Sequence, residues 1–148
     1  MHLLTNQPVR RLHSQTDPGP VSVAGKILGR EAIRLAPDDA AARGLRDGDI
    51  VRVFNARGAC LAGVVIDAGL AAHVAVMPTG AWFDPSPAGN GLDVHGNPNV
   101  LTPDIGTSRL TQGSSAQSTL VEVEKFVGAL PPIRAFDPPS LARDPAPV

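Results

Sequence analysis

Glycine and proline recur so often along this chain that a long helix has no room to form. There are fifteen of each in 148 residues, and either one in a helix interior weakens or breaks it. Between these breaks the apolar residues fall into short, valine-rich runs. β-Branched side chains are stiff at χ1 and pack well on a pleated surface. The expectation is many short strands joined by turns. The clearest case is "EAIRLAPDDAAARGLRDGDIVRVFNARGACLAGVVIDAG", residues 31–69. "EAIRL" alternates apolar and polar, as a half-exposed strand does. "PDDAAARG" has Pro37 near a helix start, acids in the first turn and Gly44 past the end, which predicts one or two turns of helix. "DGD" is a turn, and "IVRVF" and "ACLAGVVID" are strands. "NARG" closes them into a hairpin, with Gly58 free to take positive φ.

The same reading makes "HLLTNQP" a short strand ending before Pro8, and "VRRLHSQTDPGP" a polar loop. Residues 21–29 are ambiguous. "HVAVMP" is a strand, residues 80–99 form a long loop, and "STLVEVEKF" is the last strand. A loop of that length usually has work to do. From Pro131 onward six prolines in eighteen residues predict an extended or disordered tail. The sum is a mainly β fold, a closed or nearly closed barrel with one or two short helices.

The length fits one domain, and 43% hydrophobic residues suffice for a packed core. A net charge of −1, with the basic residues scattered apart from Arg10-Arg11, gives no electrostatic case for nucleic acid or an anionic membrane. Nothing approaches the ~18 apolar residues of a membrane helix. No targeting signal is visible, so cytoplasm and periplasm both stay open. The single cysteine, Cys60, excludes an intrachain disulfide framework.

"HGNPNVLTPDIGTSRLTQGSSAQSTLVEVEKF", residues 95–126, concentrates neutral amides and hydroxyls: Asn97, Asn99, Thr102, Thr107, Ser108, Gln112, Ser114, Ser115, Gln117 and Ser118. Neutral donors and acceptors suit a neutral polar ligand, such as a nucleobase edge. The bland reading is that Asn and Pro simply make turns. Neither the four histidines nor Cys60 has a metal-ligand spacing, so no directly bound metal is expected. "GSSAQ" lacks the strand-turn-helix setting of a nucleophile elbow, and no catalytic residue is assigned. No phosphate-loop motif is present, although Arg10 and Arg11 are candidates for a pyrophosphate. On residues alone, a ligand-binding barrel and a barrel with decorative loops both stand.

"HLLTNQPVRRLHSQ", "GREAIRLAPDDAAARGLRDGDIVRVFNARGACLAGVVI", "PTGAWFDP" and "GNPNVLTPDIGTSRLTQGSSAQSTLVEVEKF" together resemble the C-terminal domain of molybdopterin oxidoreductases. The branch is that of dimethyl sulfoxide, trimethylamine N-oxide and biotin sulfoxide reductases. The resemblance covers about residues 1–127, in order, and leaves 128–148 as a Pro-rich tail. It implies a six-stranded double-psi β-barrel that binds part of the bis(molybdopterin guanine dinucleotide) cofactor of molybdenum. Thr5, Arg11, His13, Ser14 and Gln15 in the first loop are the implied cofactor contacts, with Asn99, Ser115 and Gln117 in the later motif. Arg11 would offset phosphate or pterin-side negative charge. Trp82 and His95 would shape the long loop or border the substrate funnel.

The chain departs from the pattern at Phe83, where the family commonly has Tyr, and at Ala71-Ala72, where Pro-Gly is usual. The family's molybdenum ligand and N-terminal domains have no counterpart here. The chain is therefore expected to be a C-terminal piece, not catalytic alone, working with remaining domains in the same chain or a separate subunit. A free-standing assembly module docking on a catalytic subunit is one alternative. A self-processing decarboxylase of the same barrel type is another, disfavoured because no Gly-Ser cleavage site stands in the right strand setting.

Overall fold

The computed structural model is described for residues 1–139, so the end of the Pro-rich tail, 140–148, lies outside the described residues. The strands are β1 (His2–Asn6), β2 (Ala32–Leu35), β3 (Ile50–Phe54), β4 (Ala59–Ile66), β5 (Val74–Pro78), β6 (Leu92–Asp93), β7 (Thr119–Leu120) and β8 (Glu122–Lys125). Two short helices, α1 (Pro20–Val23) and α2 (Pro37–Ala41), each carry Pro in the first turn. There the missing N–H costs nothing. The fold is mainly β, as read from the sequence.

All the strands join one sheet in the order β7-β1-β5-β2-β4-β3-β8, with β6 added beside β4. β3 and β4 form the expected antiparallel hairpin, Val53 opposite Cys60. The long-range pairs could not be read locally. β1 runs parallel to β5, and β2 parallel to β4, and parallel neighbours require long crossovers. β7 borders β1 while β8 borders β3. Only Val121 separates β7 from β8, and it exchanges hydrogen bonds with Met1: the Met1 ammonium donates to Val121 O at 2.6 Å and Val121 N to Met1 O at 2.9 Å. One segment thus touches both margins of the sheet, which curls accordingly.

The alternation of β3 divides its side chains. Val51 and Val53 point into the main core with Leu3, Ile33, Leu35, Val64, Met77 and Val123, whereas Ile50 joins a smaller cluster with Leu61, Leu92 and Val94. β4 contributes to both clusters: Cys60, Ala62 and Val64 to the first, Ala59 and Leu61 to the second. A strand covered on both faces reads as a continuous apolar run, which explains "ACLAGVV". The second layer over β4 is the 80–99 segment, anchored by β6.

One local expectation is corrected. Gly58 is not among the residues with positive φ. A Cβ at this position would lie 2.7 Å from Val100 O, so glycine is needed for the close passage of the 98–100 turn and not for its own backbone angle.

Candidate functional site

The site begins where β1 ends. Residues 12–16 make a tight turn, closed by Gln15 N donating to Leu12 O at 2.9 Å. His13 and Thr16 stand in the left-handed region, at φ 50° and 60°. Such conformations cost of order 1–3 kcal/mol in non-glycine residues, so the surroundings must impose them. Gly80 crosses directly over this turn: its φ is +91°, and a Cβ there would fall 2.1 Å from His13 O. Beyond it the indole N–H of Trp82 donates to Ser14 O at 2.9 Å. Turn and crossing segment wall a cavity of about 440 Å³ lined by His13, Ser14, Thr79, Gly80, Ala81 and Trp82, with Phe83, Asn97 and Asn99.

Behind this cavity lies a buried quartet of charges. Arg11 pairs with Asp17 at 3.4 Å and Glu31 at 2.6 Å, and Lys26 with the same two acids at 2.9 and 3.3 Å. All four side chains are at most 7% exposed. Two cations and two anions balance, so no net charge is buried. Burial pushes the Asp17 carboxyl up, but the Trp82 amide, Lys26 and Arg11 outweigh it and hold it below the usual range. Asp17 Oδ2 accepts from Trp82 N at 3.0 Å. Arg11 donates through Nε to His13 O at 2.9 Å, through Nη2 to Thr79 O at 2.9 Å and through Nη1 to Ser22 Oγ at 3.1 Å.

The opposite wall is built on Asp93. This residue is wholly buried and accepts from three backbone amides: Asp84 N at 2.8 Å, Gly96 N at 2.6 Å and Asn97 N at 2.7 Å. Burial raises its pKa in spite of those donors. The cradle bends the chain into the 3-10 turn Pro98–Val100, capped by Asn97 Oδ1 accepting from Asn99 N at 2.9 Å. His95 is also fully buried, its Nδ1 2.8 Å from Trp82 O. A carbonyl only accepts, so Nδ1 carries the proton. Burial, and then Lys26, lower the His95 pKa and keep the ring neutral.

Residues of the Pro-rich segment brace this wall from outside. Arg134 N and Ala135 N donate to Asp84 Oδ2 at 2.5 and 2.9 Å, and Arg30 donates to Pro131 O. The Phe136 ring meets Trp82 and His95 edge-on, at centroid distances of 5.7 and 4.9 Å. Among the described residues, no group of three His, Cys, Asp or Glu side chains is placed to hold a metal ion.

The structure distributes the sequence-derived candidates unevenly. His13, Ser14 and Asn99 share the cavity. Arg11 lies behind it, in the quartet. Thr5 and Gln117 bind each other: Thr5 N donates to Gln117 Oε1 at 3.0 Å, and Gln117 Nε2 returns to Thr5 O at 2.7 Å. Ser115 Oγ donates to Ile105 O at 2.8 Å, and exposed Gln15 makes the backbone bond that closes the turn. The residues not foreseen are Thr79 and Phe83 on the cavity, and Asp17, Lys26 and Glu31 beneath it; Asn97, expected only as one of the neutral polar groups of its segment, also lines the cavity. Isolated charges in polar loops carry no sequence signal of burial; only the Asn97-Pro98-Asn99 turn hinted at a built feature.

Comparison with known proteins agrees with this architecture. Residues 1–120 match the family described as Molydopterin dinucleotide binding domain. The chain is 50% identical over 138 residues to the biotin sulfoxide reductase of Cereibacter sphaeroides, covering 93% of this chain and 18% of that protein. It is 49% identical over 142 residues to the trimethylamine-N-oxide reductase of Salmonella typhimurium, covering 94% and 17%. It is 41% identical over 144 residues to the dimethyl sulfoxide/trimethylamine N-oxide reductase of Rhodobacter capsulatus, covering 96% and 18%. The chain therefore spans less than a fifth of the length of these relatives. Among solved structures, acetylene hydratase from Pelobacter acetylenicus shares the fold, with a TM-score of 0.64 at 19% identity over 84% of this chain and 18% of that one. A cavity with neutral polar walls on a curled sheet, and the match across residues 1–120, lead to one conclusion: the chain belongs to the molydopterin dinucleotide binding domain family.

Proposed function

We propose that this chain binds one arm of a molybdenum bis(molybdopterin guanine dinucleotide) cofactor, as the dinucleotide-binding domain of a reductase acting on S- or N-oxides. The observation that carries the reading is the chemistry of the cavity wall. Among the described residues, neither an acid nor a Lys or Arg lines it. His13, Ser14 and Asn99 line the cavity and are exposed, so their polar side chains are open to a ligand. Amide, hydroxyl and imidazole groups beside a half-exposed indole suit a flat heteroaromatic ring edged with donors and acceptors. Such a ring fits; a bare phosphate would find no counter-charge.

When bound, the cofactor's molybdenum supplies the redox chemistry that removes oxygen from the substrate. This chain's residues bind and orient. His13, Ser14 and Asn99 meet the polar edge, Trp82 offers its face, and Thr5, Gln15, Ser115 and Gln117 shape or extend the binding surface. The relatives hold far more chain than this domain, and the remaining domains of such an enzyme are the proposed partners. With β7 and β8 counted as one strand and the two-residue β6 set aside, six strands remain in the sheet, and we take a six-stranded double-psi barrel as its architecture.

The experiment is Asn99→Ala and His13→Ala in a full-length reductase carrying this domain, with molybdenum and guanine nucleotide content measured per protein. A loss of about tenfold in retention is expected, the scale of one or two polar contacts. Wild-type content in both variants would overturn the reading.

A further inference from the structure

We infer that Arg11 is a positioning residue, whose guanidinium locks the 12–16 turn to the end of β5 and sets the shape of the cavity before any ligand arrives. A guanidinium has five N–H groups in a rigid fork. In Arg11 these face five acceptors of the chain itself: His13 O, Ser22 Oγ, Asp17 Oδ1, Thr79 O and Glu31 Oε2. A ligand contacting Arg11 would have to displace one of them.

Two of those acceptors are decisive. His13 and Thr79 stand on opposite segments, both line the cavity, and one planar group holds the carbonyls of both. Arg11 Nε thereby supports the left-handed His13 at the place where Gly80 passes over it. Asp17 extends the lock, bonding Ser22 and pairing with Arg11 through one oxygen and holding Trp82 N through the other. Lysine cannot replace this fork, because a point ammonium cannot reach two carbonyls and two acids in one plane. The exposed pairs elsewhere, such as Arg52–Glu124 at 3.0 Å with both side chains over 40% exposed, hold no cavity wall and make suitable controls.

The inference depends on the cofactor reading only for what eventually fills the cavity, and its test uses no ligand. Trp82 is the only tryptophan, and its indole N–H donates to Ser14 O, so it reports on the 12–16 turn directly. The full 148-residue chain is prepared as wild type, Arg11→Lys and the control Arg52→Lys. A charge-balanced Arg11→Met/Glu31→Gln variant, which leaves Lys26 facing Asp17, is included because replacing a buried pair by neutral groups is often tolerated. Acrylamide quenching and indole N–H exchange are read well below each melting temperature.

Both Arg11 variants should exchange the indole proton roughly tenfold faster, the signature of local opening without global unfolding, and quench more readily. Arg52→Lys should match wild type. If a folded Arg11 variant melts earlier yet keeps wild-type indole protection and quenching, Arg11 serves stability alone and the inference fails. Should Arg11→Lys not fold, the charge-balanced variant decides by the same criterion. Loss of molybdenum retention in the Asn99 and His13 variants bears on the cofactor reading and leaves this result untouched.

Discussion

Two polar regions of the molecule look alike in sequence and are held by opposite means. The 11–17 segment is fixed by partners far away in the chain: Glu31 just before β2, Thr79 just after β5 and Trp82 in the 80–99 segment. The 103–115 loop is satisfied almost entirely by itself. Thr111 N donates to Ser108 Oγ at 2.8 Å, Gln112 Nε2 to Ser108 O at 3.1 Å, Thr107 N to Gly113 O at 3.1 Å, and Ser115 Oγ to Ile105 O. Its side chains are mostly exposed, Ile105 and Leu110 included. Buried charges tie distant segments together, because leaving any one unpaired is expensive. Short-range hydroxyl bonds in water are worth little each, so such a loop is shaped without being anchored. The first region walls the cavity and is tied to distant segments; the second lies off the cavity lining and is tied chiefly to itself.

That contrast is broken most severely at Gly80. Gly80→Ala places a Cβ against His13 O and demands a left-handed alanine, so a loss of about 3 kcal/mol or more is expected in urea unfolding. An ordinary surface-sized change would show that the crossing is slack. Next comes Asp93→Asn. Both carboxylate oxygens accept backbone N–H groups, and an amide sets its own N–H₂ against one or more of them. The expected cost is about 2 kcal/mol by the same measurement.

The pH response is smaller. His95 has a folded pKa lowered chiefly by burial, so acid gives the unfolded chain a proton that the folded one refuses. Stability should therefore fall as pH drops through the unfolded value near 6.5 and level off below the folded pKa. His95→Gln should flatten this response, read as urea-unfolding stability against pH. Asp17 acts in a separate window: its lowered pKa adds stability above the unfolded value near 3.8, lost as pH falls through the folded one. At the bottom of the scale, Ser108→Ala should change stability by less than about 0.5 kcal/mol. A larger loss there would erase the distinction between the two regions.

Much of the local structure was legible. Pro37, Asp38, Asp39 and Gly44 announced α2, and the alternation of "IVRVF" against "ACLAGVVID" announced the β3–β4 hairpin. His13, Ser14 and Asn99 were picked as candidates, and they share one cavity. Less visible were the neighbours that particular residues find within the chain. Gly58 read as a turn glycine and proved to be a site of close passage. Arg11 read as a ligand contact and has its donors engaged inside. Gln117 read in the same way and is paired with Thr5.

What the sequence determined by itself is what nearest neighbours decide: strands where valine alternates, turns where Gly, Pro and Asn cluster, and neutral polar groups in the loops. Those follow from steric and hydrogen-bonding preferences a few residues long. Tertiary structure alone decided which loops meet. The parallel β1–β5 pairing brings the residue 13 turn beneath residue 80, and only then do Arg11, Asp17, Lys26 and Glu31 become a single neutral cluster. The reason is that burial is a property of the whole fold. A charged side chain carries the same local signature in water as it does in a core, and its role depends on which distant acceptors the packed chain places around it.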